Sequence, residues 1–176
     1  LYSDAGVTAT LVCCTGGEEG DILNPAMDRP EIKENIAKVR QEELAKAANI
    51  IGYKRVHYLG YRDSGMPDTE ANKNPDCFAN APLDEAVGRL VKIIREEKPH
   101  VIVTYPDDQQ GYQHPDHLKV FDISLPAWEA AGDPLKFPEF GDPWTPLKLY
   151  YTTWSRARIE ALHDMFIKLK IESPFN

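Results

Sequence analysis

Basic residues, cysteines and long apolar runs are all scarce in this 176-residue chain. Twenty Lys and Arg stand against 28 Asp and Glu, for a formal net charge of -8. No basic cluster or interleaved aromatic ladder compensates, which excludes a binder of the phosphate backbone. The longest apolar stretch, residues 7–14, falls well short of the roughly 20 residues a membrane helix needs. Three cysteines, an odd number without zinc-knuckle spacing, exclude a disulfide framework. Cys13 and Cys14 are adjacent, so in a strand they point to opposite faces; packed, reduced thiols in a cytoplasm are the expectation, while Cys77 sits in a polar loop. There is no Gly-x-Ser-x-Gly elbow, no glycine loop ending in Lys-Ser or Lys-Thr, and no Cys at a helix start. Serine-triad, nucleotide-loop and thiol-nucleophile chemistries are therefore set aside.

What is there is ordinary for a globular domain: 42% apolar and 27% charged residues, enough for one core and one domain spanning 1–176. Strand and helix patterns alternate four times. Residues 7–14 read as a strand, followed by the turn-rich Thr15-Gly16-Gly17-Glu18-Glu19-Gly20-Asp21. From about 31 to 51, Ile32, Ile36, Val39, Leu44, Ala47 and Ile51 recur at helical spacing, with Gly52 as the stop. Residues 55–59 read as a second strand that opens into Gly60-Tyr61-Arg62-Asp63-Ser64-Gly65-Met66. A helix over 83–97 carries Leu83, Val87, Leu90, Val91 and Ile94 on one face, with Asn80 and Pro82 fitting its start. A β-branched run at 100–105 reads as the third strand and 118–131 as the third helix; 132–146, rich in proline, reads as an ordered loop or lid. A fourth strand over 147–152 and a fourth helix over 156–168 follow. This alternation predicts an α/β fold with a mostly parallel sheet covered by helices, and it gathers the polar loops along one sheet edge.

One stretch concentrates acid/base and metal-binding capacity: Gly111-Tyr112-Gln113-His114-Pro115-Asp116-His117. It falls at a strand-to-helix junction, beyond the carboxyl end of a strand, where open α/β sheets bind ligands. Two histidines three apart suit one metal, although a catalytic zinc usually takes three protein ligands and an open position. They equally suit a helix cap, with Pro115 fixing the turn. Asp116 between them can orient an imidazole, and Tyr112 can donate to a developing oxyanion. The glycines at 16 and 17 permit close approach to a ligand or simply make a turn. Asp63, Ser64, Gly65 and Met66 suit polar substrate groups or a solvated turn. Arg40 reads as a surface cation of its helix, and Trp128, Trp144 and Trp154 as core or lid.

Three motifs, residues 15–28, then Asp63-Ser64-Gly65-Met66, then residues 111–117, stand in the order and approximate spacing of the LmbE-like zinc deacetylases. The chain resembles that family over nearly all of 7–176, and its amidase branch, which acts on mycothiol S-conjugates, through the 16–28 run. The resemblance implies a Rossmann-like α/β fold and a zinc hydrolase that cleaves an amide on a glucosamine-containing thiol conjugate in detoxification. It implies His117 as a zinc ligand, His114 and Tyr112 as stabilisers of the tetrahedral intermediate, and Asp116 as the carboxylate that tunes His114. Arg40 and Asp63 fall where the family binds sugar hydroxyls, Met66 where it contacts substrate, and Glu19 is placed with them. Two alternatives stand beside it: an N-acetylglucosaminyl deacetylase of the same fold, and a degenerate, non-catalytic module that keeps the sugar pocket without the metal. The family's His-Pro-Asp-Asp-Glu motif, source of two further zinc ligands and the general base, is absent. Pro106-Asp107-Asp108 mimics it without the His and at the wrong strand. The expectation is a piece of a longer cytoplasmic enzyme that lacks the first strand and helix and is inactive alone.

Overall fold

The computed structural model describes residues 4–109 and 113–174. Strands and helices alternate in it, and every strand pairing is parallel. β1 (Thr10–Thr15) pairs with β2 (Arg55–Tyr61), and β3 (Val101–Thr104) pairs with β4 (Lys148–Tyr151). Parallel neighbours need long crossovers, and the chain supplies helices for them. α1 (Pro30–Lys33) and α2 (Ile36–Ile51) connect β1 to β2, while α4 (Pro115–Gly132) connects β3 to β4. α3 (Leu83–Glu97) joins the two pairs and α5 (Arg156–Leu169) follows β4.

The single sheet expected from the sequence is divided into two two-stranded sheets. Among the described residues no strand occupies the free edges of β1 and β3, so a shared core unites the pairs instead of a continuous ladder. Val12 and Cys14 of β1, Leu59 of β2 and Ile102 of β3 pack with Phe78, Val87, Val91, Ile94, Ile123 and Ala127. The outward face of β3 is left uncovered, with Val103 64% exposed.

α3 shows why the helical periodicity was readable. Val87, Val91 and Ile94 lie on one buried face, Asp84 and Glu85 favour the positive end of the helix dipole, and Lys98 ends the helix in the left-handed region at φ 49°. The helix expected over 31–51 is broken after Lys33, where the Asn35 side chain donates to the Glu31 carbonyl (2.9 Å) and competes with the ladder. Gly52, at φ 93°, closes α2. α4 begins at Pro115, three residues before the expected start, and continues through Pro126. Proline lacks the N–H that a first helical turn leaves unused, so it opens this helix and carries Asp116 and His117 onto its first turn.

The 132–146 segment is tied down from below. Arg95, only 3% exposed, donates six hydrogen bonds to carbonyls of Ala130, Ala131, Asp133, Lys136, Phe137 and Gly141. A guanidinium has five N–H donors, so at least one is shared. Trp144 Nε1 donates to the Pro99 carbonyl (2.8 Å) and its ring packs on the core, whereas Trp154 is exposed beneath the Arg158 guanidinium. At the opposite end of β1 and β2, Glu97 accepts from Arg55 (2.7 Å), Thr10 (3.2 Å) and the His57 ring (2.8 Å).

Candidate active site

The loops after β1 and β2 and the start of α4 meet at the carboxyl ends of the strands. Phe78 N–H donates to the Arg62 carbonyl (2.9 Å) and Arg62 bridges to Cys77, so the chain leaving β2 stays zipped to 77–78. Cys77, expected in a polar loop, is thereby fully buried. Asp63 Oδ1 accepts the Gly65 N–H (2.8 Å), a tight turn that Gly65 allows at φ 62°. From the β1 loop, Glu18 Oε2 accepts the Asp63 N–H (2.9 Å), and Glu19 pairs with Arg62.

His114 is the N-cap of α4, its Nδ1 accepting the Asp116 N–H (3.2 Å). The capping alternative raised by the sequence is thus realised, and it coexists with a position in the site. Asp116 is buried; its Oδ2 accepts the Ser64 N–H (3.3 Å), while Oδ1 is buried without a hydrogen-bond partner among the described residues. Burial pushes the Asp116 carboxyl upward; Ser64 opposes this, the Asp63 charge adds to it and His114 works against it. The His117 ring lies 5.1 Å from that of His114 and stacks on Tyr105 at 4.3 Å. Burial, followed by the charge of His114, moves the His117 pKa down and keeps this imidazole neutral.

Ligand atoms of Asp63, His114 and Asp116 all lie within 4.8 Å of one another. Imidazole nitrogen and carboxylate oxygen form a donor set that zinc accepts, and the unpartnered Asp116 Oδ1 is the kind of buried atom a cation satisfies. These residues fit a divalent metal. His117 stands beside this set, not inside it.

The remaining residues singled out from the sequence are spread around this centre. Arg40 lies against the β1 loop, where a Cβ on Gly17 or Gly20 would collide with its side chain, and Nη2 donates to the Asp21 carbonyl (3.4 Å). Met66 is exposed, and its carbonyl accepts from the Thr69 hydroxyl (2.8 Å). Tyr112 lies outside the described residues. Asp107 forms a local turn with the Asp108 N–H (2.8 Å) and joins no metal-competent cluster among the described residues. Cys14, near enough to feel the Asp116 charge, has its thiol pushed up to about 12 by burial, Cys13 and Asp116, so it stays neutral and unreactive. Glu18 and Ser64 tie the loops together, a role the sequence did not reveal although both lie in motifs it singled out. A Glu in a glycine loop and a Ser after an Asp look like surface turn residues, and no local signal says otherwise.

A family model described as PIG-L, GlcNAc-PI de-N-acetylase, matches residues 1–128. The chain belongs to this family. Its relatives include the mycothiol S-conjugate amidase of Streptomyces coelicolor, 42% identical across 99% of this chain and 61% of that protein. They also include the 1D-myo-inositol 2-acetamido-2-deoxy-alpha-D-glucopyranoside deacetylase 1 of Catenulispora acidiphila, 44% identical across 86% of this chain and 48% of that protein. The N,N'-diacetylchitobiose deacetylase of Pyrococcus horikoshii shares the fold, with a TM-score of 0.65 at 23% identity over 96% of this chain and 59% of that one. The chain therefore spans about 61% of the length of the amidase it matches. Among the described residues no helix is long and apolar enough to cross a membrane.

Proposed function

We propose that the protein is a zinc-dependent amide hydrolase that splits a mycothiol S-conjugate into a mercapturate and glucosaminyl inositol. The observation that carries this reading is the convergence of Asp63, His114 and Asp116, with His117 alongside, where the loops beyond β1 and β2 meet α4. The 42% identity to a protein named for that activity supports the substrate. In this reading His117 is a zinc ligand, since its depressed pKa leaves a lone pair to donate. Cys13, Cys14 and Cys77 as free thiols fit a cytoplasmic setting.

Zinc supplies a Lewis acid for the amide carbonyl and lowers the pKa of water. The side chains have separate tasks. His114 Nδ1 accepts a backbone N–H, so the neutral ring carries its proton on Nε2. That proton is directed to the carbonyl oxygen as it gains charge during water addition. Asp116, whose N–H the ring accepts, fixes the orientation of His114 toward that oxygen, and the proton released by the added water goes to the departing amine as the C–N bond breaks. Tyr112 is assigned to the same oxygen. Arg40, Asp63, Met66 and Glu19 are assigned to the sugar and its conjugate, although Glu19 would first have to leave Arg62.

A second reading is favoured by the 44% identity to a deacetylase: the amide cleaved is then an N-acetyl group on the glucosaminyl inositol. Comparative turnover by the zinc-loaded protein at its full natural length separates the two. A kcat/KM about tenfold or more higher for the thiol conjugate supports the amidase; the reverse transfers the assignment to the deacetylase. Absence of both zinc binding and hydrolysis leaves a non-catalytic sugar-binding module.

A further inference from the structure

We infer that Ser64 is the positioning residue of the site, holding Asp116 against His114 by joining the β2 loop to the first turn of α4. The inference rests on the proposed metal-dependent reading. Ser64 is fully buried, which is unusual for a polar side chain in a loop after a strand. Its groups act in different directions: the N–H donates to Asp116 Oδ2 (3.3 Å), and Oγ accepts the Ala79 N–H (2.8 Å). One residue thus ties together the 62–65 turn, the 3-10 turn at Phe78–Asn80 and α4.

The position of Asp116 matters because its two ends do different things. Its N–H is held by His114 Nδ1, so a shift of its carboxylate and backbone rotates or releases the His114 ring. Its Oδ1 has no partner among the described residues; only Oδ2, anchored on Ser64, fixes where Oδ1 points. Asp63, the adjacent residue on the same loop, is itself held by Glu18 and Gly65. Without the Ser64 hydroxyl, Asp63 keeps its anchors, but Ser64 is no longer held on Ala79, the N–H that fixes Asp116 Oδ2 loosens with it, and the cluster within 4.8 Å opens from the α4 side. Groups of this kind behind the residues that surround a metal are worth about 10–100-fold in metal affinity.

The test compares Ser64→Ala with Ser124→Ala in the full-length protein. Ser124 is a second buried serine, further along α4, bonded to Thr104 (2.7 Å) and the Val120 carbonyl (2.6 Å) away from the site. Two readouts are taken: cobalt(II) affinity with its visible absorption band, and the His114 imidazole NMR signals of metal-free protein. Ser64→Ala is expected to weaken cobalt binding about 10–100-fold, to alter the band and to move the His114 signals. Ser124→Ala is expected to lower thermal stability with affinity within about twofold and the His114 signals in place. Unmoved His114 signals in Ser64→Ala, or equal changes in both variants, overturn the inference. If the wild type binds no cobalt, the metal reading fails on its own, and the His114 signals still decide the role of Ser64.

Discussion

Replacing Arg95 by Met removes the guanidinium while keeping an unbranched side chain of similar reach, and it tests how the 132–146 segment is held. Arg95 is 3% exposed and donates six hydrogen bonds, all to backbone carbonyls. Two acceptors, Ala130 and Ala131, belong to the last turn of α4, whose carbonyls have no helical partner and carry the negative end of the dipole. The buried cation thus finds its counter-charge in backbone dipoles. Hydrogen bonds to charged groups contribute about 1.5–3 kcal/mol each, but the sum overstates the loss because the cation's own desolvation disappears with it. Carbonyls left without a partner cost about 1–3 kcal/mol each, and with that offset a net loss of about 3–5 kcal/mol is expected. For a chain of this size that corresponds to a fall in Tm of roughly 6–20 °C. Urea unfolding gives the magnitude, and hydrogen exchange gives the location: amides of 133–141 should lose protection before those of β1 and β2. A loss under about 1 kcal/mol, or unchanged protection in that segment, refutes the reasoning.

Other outcomes follow from the same packing. Gly88 on α3 faces Phe137 and Phe140, with ring carbons 2.9–3.3 Å from where a Cβ would stand, so Gly88→Ala should overpack that contact and cost about 1–3 kcal/mol in urea unfolding. Burial opposes ionisation of Glu97, but hydrogen bonds from His57 and Thr10 and the charges of Arg55 and His57 outweigh it, and its pKa is lowered. A lowered carboxylate stabilises the fold above the ordinary glutamate value of about 4.3 and loses that contribution as pH falls through the folded value. Glu97→Gln should therefore flatten the acid limb of a Tm-versus-pH curve; an unchanged acid limb counts against the network. With its thiol at about 12, Cys14 is ionised in roughly one molecule in ten thousand at pH 8, so mass spectrometry should find it unlabelled by iodoacetamide until the chain unfolds.

Much of the fold was legible because packing leaves a periodic trace. The apolar spacing of α3 predicts the helix observed from Leu83 to Glu97, and the strands read over 55–59 and 100–105 match β2 and β3 to within two residues. Boundaries failed where one residue type serves two purposes. Pro115 reads as a turn, yet at the first helical position it starts α4. The division into two strand pairs was not legible, because a strand's pattern records its faces and not its neighbours. In the site, the motif from 111 to 117 announces itself by composition, and Asp63 only through the family resemblance. Ser64 and Arg95 do not, because their roles consist of hydrogen bonds to partners 52 and 35–46 residues away.

The measurement closest to the central claim is zinc stoichiometry together with amide hydrolysis, made on the full-length protein and its His117→Ala variant. One zinc per chain and release of a glucosaminyl amine, both lost in the variant while thermal unfolding remains cooperative, is the predicted result. Hydrolysis that persists in the variant, or in protein stripped of metal, contradicts it.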